Sequence, residues 1–160
     1  MDFLTNFFRL TRPLSNVKNI ALVLLAFYLS GQEFDLIKFI LGIFSLSFIC
    51  SAIYAYNALY DLKFDEQNKN KQHYWQAVRY FGDKYVIIIA LFLVVLGFFL
   101  GFYFNFYFLI SLLALLITGF LYSSKCTRFK EKILLDVLFG AVFAYLLRFT
   151  AAWLIFGVRP

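Results

Sequence analysis

Three polar residues at one helical spacing form the part of the sequence best suited to chemistry. Asn57, Asp61 and Asp65 stand four residues apart, so on a continuous helix they form one polar ridge. Two carboxylates and an amide oxygen are hard oxygen ligands that suit Mg²⁺, an ion that shares its coordination shell with substrate phosphates. The ridge could therefore hold a diphosphate-bearing substrate, because a metal there would neutralise the charge that builds on the leaving group.

A simpler interpretation is that a membrane helix ends here in solvated polar residues. Two details favour the metal-ligand interpretation. A carboxylate at a helix C-terminus opposes the helix dipole, where Lys or Arg would be more favourable. The polar residues also recur on one face, while Ala58, Leu62 and Phe64 occupy the others.

Arg148 is a second candidate, since it lies deep inside an apolar run. An arginine at the centre of a bilayer costs a few kcal/mol or more, and it usually faces a polar cavity or an anionic group. Asp136 precedes it by about 12 residues, which is too far along a helix for direct pairing. The alternative is that Arg148 extends its side chain towards the membrane surface. We expect it to face a cavity.

Other basic residues could hold phosphate oxygens near the same face, although each could equally serve only to orient the chain in the membrane. They are Arg12, Lys18, Lys71, Lys125 and Arg128. His73 is the only histidine; we expect it in a loop, with no role in catalysis. The sequence alone identifies no catalytic residue.

Composition and the lengths of the apolar runs predict an all-α membrane helix bundle. Of 160 residues, 63% are hydrophobic and 15% are charged, and a soluble domain of this size could not bury so much apolar side chain. A spanning helix needs roughly 20 mostly apolar residues. Five runs are predicted to span the bilayer, the first of them short: 17–30, 36–60, 85–103, 106–122 and 133–156. We expect a single transmembrane domain over residues 1–160, with the lipid bilayer as its main partner.

The distribution of basic residues predicts the orientation of the chain. Lys and Arg are concentrated before the first run, between the second and third, and between the fourth and fifth. Such residues are retained in the cytoplasm, so the N-terminus and the polar ridge are predicted on the cytoplasmic side of the inner (plasma) membrane. The net charge of +6 then reflects orientation and contact with anionic lipid, and no nucleic-acid partner is expected. Cys50 lies within a span and Cys126 on the reducing side, so we expect no disulfide.

Together these residues resemble the UbiA superfamily of intramembrane prenyltransferases. The first aspartate-rich motif of that superfamily reads N-D-x-x-D-x-x-x-D. Asn57, Asp61 and Asp65 match its Asn and its last two Asp residues, and Ala58 stands in place of the first Asp.

Further segments are similar to one branch, which transfers phosphoribose from phosphoribosyl diphosphate to decaprenyl phosphate. Residues 12–19 resemble its R-P-x-x-W-x-K-N opening, with Asn16 in place of Trp. Residues 122–123, 135–138 and 147–148 resemble its Y-S, L-D-V-L and L-R segments. The order of these matches along the chain favours that branch.

The resemblance implies a helical bundle around a cavity open to the cytoplasm. It also implies Mg²⁺-dependent loss of diphosphate from one substrate and attack by an acceptor such as a polyprenyl phosphate. Asp61 and Asp65 would bind Mg²⁺ with the assistance of Asn57. The candidate contacts to substrate or phosphate are Arg12, Lys18, Lys71, Asp136 and Arg148.

The length of the chain departs from the family pattern. Members are usually much longer and have a second aspartate-rich motif on a later helix, which this sequence lacks. The resemblance thus covers only the first half of the family fold, and a second chain could supply the other half. A non-catalytic membrane scaffold or an inactive half-length fragment is the alternative to a transferase. A small transporter is least favoured, because no inverted repeat is present.

Overall fold

The computed structural model describes residues 2–124 and 129–157, and every regular element in these ranges is helical. The helices are α1 (Phe3–Thr11), α2 (Val17–Ser30), α3 (Leu36–Asp65), α4 (Gln72–Phe81), α5 (Asp83–Gly101), α6 (Phe106–Ser123) and α7 (Ile133–Leu154). Short 3₁₀ turns at Pro13–Asn16, Lys69–Lys71 and Phe129–Glu131 precede α2, α4 and α7. The predicted all-α class is confirmed.

Within residues 2–124 and 129–157, five stretches are long and apolar enough to cross a membrane: Phe3–Ser30, α3, α5, α6 and α7. They coincide with the five predicted spans, although α3 continues to Asp65 rather than ending at Tyr60. The prediction that His73 lies in a loop is wrong, because it belongs to α4. Neither α1 nor α4 was predicted, since both are shorter than a span and their helical pattern is amphipathic.

Helix α3 lies at the centre of the bundle and packs along α5 and α6, while α7 packs against α6 and α2. The main core lies among α2, α3, α6 and α7 and includes Val23, Ile49, Phe108 and Ala151. Helices α1 and α4 pack on each other and on α3. A smaller cluster beneath them contains Leu10, Ala58, Ala77, Val78 and Val86.

Small residues allow α3 and α5 to approach closely. A Cβ atom on Gly97 would lie 2.8 Å from the side chain of Ile49 and 3.2 Å from the carbonyl oxygen of Ser45. The Ser45 hydroxyl donates to the carbonyl oxygen of Gly97 at 2.7 Å. Close contact of this kind stabilises helix pairs in membranes, where apolar side chains gain little by leaving lipid.

Side-chain amides connect α2 and α7 to the other helices at opposite ends of the bundle. Near the start of α2, the Asn16 Nδ2 donates to the Ser51 hydroxyl at 2.8 Å, and the Asn19 Nδ2 donates to the Ser47 hydroxyl at 3.2 Å. At the other end, Asn105 caps α6 and donates to the carbonyl oxygen of Leu154 at 3.1 Å. The Asn16 and Asn19 contacts fix the start of α2 against the middle of α3, on the N-terminal side of the polar ridge.

Candidate functional site

The polar ridge forms because α3 is continuous through Asp65. Its helical geometry places Asn57, Asp61 and Asp65 one above another on one face. Asp65 is only 4% exposed, and the other two are half-buried. The Asn57 Oδ1 atom is buried and has no hydrogen-bond partner among the described residues. A buried acceptor without a donor is uncommon and indicates a binding position that a cation or donor could fill.

Two lysines from neighbouring turns contact the carboxylates of the ridge. Lys71 Nζ donates to Asp65 Oδ1 at 2.6 Å, and Lys130 forms an ion pair with Asp61. Burial lowers the pKa of Lys130 below its ordinary value, because desolvation disfavours the charged ammonium group, while Glu131 opposes the shift. The turns that precede α4 and α7 therefore each place one ammonium group on the ridge.

Arg12 approaches the same end of α3 from the turn between α1 and α2. Its backbone is left-handed, with φ of 49°, a conformation that costs a non-glycine residue roughly 1–2 kcal/mol. Its guanidinium lies 3.6 Å from the centroid of the Tyr74 ring and 5.8 Å from that of Tyr54, and it interacts favourably with Asp65. The strained turn thus positions a planar cation beside the ridge.

Arg148 faces a cavity, as expected, and is 9% exposed. Its Nη2 donates to the hydroxyl of Tyr54 at 3.3 Å. The cavity has a volume of about 160 Å³. Its polar lining residues are Tyr54, Asn57, Thr118, Tyr122 and Arg148.

Asp136 contacts Tyr122, one of the residues that line the cavity. The Tyr122 hydroxyl donates to Asp136 Oδ1 at 2.6 Å. Asp136 begins a π-helical segment of α7, Asp136–Val142. A Cβ on Gly140, in the same segment, would lie 2.9 Å from the Tyr122 ring. Such segments insert a local offset into a helix and are frequent at functional sites. Here the absence of a side chain at Gly140 lets this segment pack against the Tyr122 ring.

Most of the residues predicted from sequence therefore lie together at one end of the bundle. They are Arg12, Asn57, Asp61, Asp65, Lys71, Asp136 and Arg148. Lys18 is not among them, because it is exposed on α2 while the adjacent Asn19 faces α3. Lys125 and Arg128 lie outside the described residues.

The sequence patterns did not indicate the aromatic partners of this group or the contact of Lys130. Tyr54 precedes Asn57 by one turn and Asp61 by two, so its spacing could have placed it on the ridge. Tyr74 and Lys130 come from other elements, and no local spacing predicts their contacts. Tyr122 was noted only as part of a short sequence match.

The sequence and the fold are both similar to those of known proteins. The sequence pattern of the UbiA prenyltransferase family matches residues 19–159. Two solved structures of a UbiA homolog from Archaeoglobus fulgidus are similar, one bound to DMAPP and Mg²⁺ (TM-score 0.83) and one bound to GPP and Mg²⁺ (TM-score 0.82). Each is 23% identical, and each match covers 96% of this chain and 55% of the solved chain. No curated protein sequence matches significantly.

These solved structures support an intramembrane helical fold, and this chain spans 55% of their length. The family pattern begins in the first turn of α2 and covers the ridge, the cavity and helices α3, α5, α6 and α7. The chain therefore belongs to the UbiA prenyltransferase family.

Proposed function

We propose that the ridge on α3 forms the Mg²⁺ and diphosphate half-site of a membrane transferase that releases diphosphate from its donor. The main support is the unpartnered Asn57 Oδ1, aligned with Asp61 and Asp65 and surrounded by basic side chains. The solved UbiA homologs bound to DMAPP or GPP with Mg²⁺ are consistent with this chemistry.

The ligands on the ridge fit a metal ion that is shared with substrate. They are oxygen atoms only, as Mg²⁺ prefers, and this ion usually keeps water and substrate phosphate in its shell. Among the described residues, no three His, Cys, Asp or Glu side chains are grouped to hold a metal. Asn57, Asp61 and Asp65 would thus supply part of a shell that diphosphate completes. Bound there, Mg²⁺ would neutralise the charge that develops on the leaving diphosphate.

The basic residues would bind and orient the diphosphate. Lys71 and Lys130 keep their ammonium groups at the ridge, where each has further donors for phosphate oxygens. Arg12 offers a planar guanidinium that is fixed by stacking on Tyr74, a geometry suited to phosphate. Arg148 would meet the transferred group from the cavity side.

The cavity supports phosphoribosyl transfer to a polyprenyl phosphate as the more specific activity. Its polar walls offer hydroxyl, amide and guanidinium groups, which suit the hydroxyls of a ribosyl group and have no partner on a prenyl chain. Its apolar walls, including Ile53, Leu115 and Phe139, would exclude water from the reacting carbon. Prenyl transfer is the second candidate, favoured by the ligands of the solved homologs.

A non-catalytic membrane scaffold is the alternative from a different class. Ala58, which is 2% exposed, occupies the position of an Asp in the motif that the sequence resembles, and this removes one carboxylate. Such a protein would retain the bundle without binding a donor.

Donor binding by the full chain in lipid nanodiscs tests the proposal. Phosphoribosyl diphosphate and geranyl diphosphate would be titrated separately by calorimetry, in Mg²⁺ and in EDTA. We expect Mg²⁺-dependent binding, tighter for phosphoribosyl diphosphate. Tighter binding of geranyl diphosphate would overturn the phosphoribosyl assignment. A folded chain that binds neither donor would overturn the transferase proposal and favour the scaffold.

A further inference from the structure

A basic pocket and an apolar groove lie side by side where α1 meets α2. The pocket, of about 700 Å³, lies between α1, the turn before α2 and the start of α4. The groove, of about 370 Å³, lies between α1, α2 and α3. Phe8 and Pro13 line both, so the two adjoin. Neither shares a residue with the cavity at Arg148.

The pocket is suited to an anion. Arg9, Arg12 and His73 line it, and no acidic residue is among its lining residues. The Arg12 Nε is buried and has no hydrogen-bond partner among the described residues. Guanidinium groups bind phosphate oxygens strongly, so a phosphate would fit this lining.

The groove is suited to a hydrocarbon chain. Its walls include Val17, Ile20, Ile43, Phe44 and Phe48. The polar groups at its base are already satisfied, since the Asn16 amide donates to the Ser51 hydroxyl. Val17 and Phe44 are exposed on the surface of the bundle, where spanning helices meet lipid. An acyl chain could therefore enter the groove from the bilayer.

We propose that the pocket and the groove together bind one anionic phospholipid. Its phosphate would contact Arg9 and His73, one acyl chain would lie in the groove, and Arg12 would remain at the proposed donor half-site. The charge of the pocket complements an anionic headgroup, and anionic lipids are enriched in the cytoplasmic leaflet, which this end of the bundle is predicted to face. The proposal does not depend on the transfer reaction.

Native mass spectrometry of the full chain tests this proposal. The protein would be reconstituted in vesicles of equal phosphatidylglycerol and phosphatidylcholine, extracted in detergent, and analysed for retained lipid. We expect one retained phosphatidylglycerol. The double variant Arg9→Gln, His73→Gln should reduce retention of phosphatidylglycerol at least tenfold. Lys69→Gln is the control, because it removes an exposed positive charge from the turn before α4, outside the pocket. It should leave retention unchanged.

The groove is tested by a matched pair of tryptophan substitutions on α2. Ile20→Trp would fill the groove and should also reduce retention at least tenfold, whereas Leu24→Trp, outside the groove and similarly exposed, should leave it unchanged. Circular dichroism would establish that all variants remain helical.

Three results would overturn the proposal. One is equal retention of the two lipids by the unmodified chain. Another is an equal loss in Lys69→Gln and in the double variant, which would indicate diffuse charge attraction. The third is displacement of phosphatidylglycerol by an equal concentration of farnesyl phosphate, which would assign the site to a prenyl phosphate.

Discussion

Tyr54 is the residue that links the two arginines of the site. Its hydroxyl accepts a hydrogen bond from Arg148 at 3.3 Å, and its ring lies 5.8 Å from the Arg12 guanidinium. An arginine buried within a span is costly unless it is partnered. The stability of the bundle should therefore depend in part on this phenolic hydroxyl.

Replacing Tyr54 with Phe tests this dependence. The variant removes the hydroxyl that Arg148 contacts, and loss of a hydrogen bond to a buried charged group costs about 1.5–3 kcal/mol. Thermal unfolding in detergent should therefore occur at a lower temperature. Tyr28→Phe is the control, because Tyr28 is 81% exposed. Equal unfolding temperatures for the two variants would contradict this account of Tyr54.

Contacts within one helix could be predicted from the sequence, whereas contacts between distant residues could not. The ridge follows from the spacing of Asn57, Asp61 and Asp65 on one helix. The contacts of Lys130 with Asp61 and of Arg12 with Tyr74 join residues far apart in sequence, and no helical period indicates them.

At the scale of elements, the spans were predictable because the bilayer requires long apolar helices. Helices α1 and α4 were not, because each is short and is stabilised by packing on its neighbour and on α3. The π-helical segment of α7 was also not predictable, since no local pattern indicates either the segment or its contact with Tyr122 on α6. Tyr74 on α4 and Lys130 in the turn before α7 were missed for the same reason, because their contacts depend on how the helices pack.

The close crossing of α3 and α5 can be tested at Gly97. Gly97→Ala would place a methyl group 2.8 Å from Ile49, and overpacking of this kind costs about 1–3 kcal/mol. Ile49→Ala removes both the Cδ1 and the Cγ1 atoms that this methyl group would meet at 2.8 Å. A double-mutant cycle measured by unfolding in detergent should therefore show a favourable coupling between the two substitutions. Additive effects would contradict the crossing described here.

At the scale of the whole molecule, the orientation in the membrane is a prediction from the basic residues. Gln67 is exposed just after α3, at the end of the bundle with the ridge, and Gln32 is exposed in the loop before α3, at the opposite end. The two positions should therefore face opposite sides of the membrane.

Cysteine labelling tests that orientation. In a background with Cys50→Ser and Cys126→Ser, Gln32→Cys should react with a membrane-impermeant maleimide in intact cells. Gln67→Cys should react only after the cells are permeabilised. The reverse pattern would place the ridge outside the cytoplasm and contradict the predicted topology.

In the proposed function, Asp61 and Asp65 bind a divalent metal together with diphosphate. Electron paramagnetic resonance of Mn²⁺, used in place of Mg²⁺, can measure this binding directly with inorganic diphosphate and the full chain in nanodiscs. Glu66→Gln is the control, because it removes a carboxylate next to the ridge that pairs instead with Arg79. We expect the chain to bind Mn²⁺ only when diphosphate is present. The affinity for Mn²⁺ should be at least tenfold lower in Asp61→Asn and in Asp65→Asn, and the same as in the unmodified chain in Glu66→Gln. Undiminished Mn²⁺ binding by both aspartate variants would contradict the account.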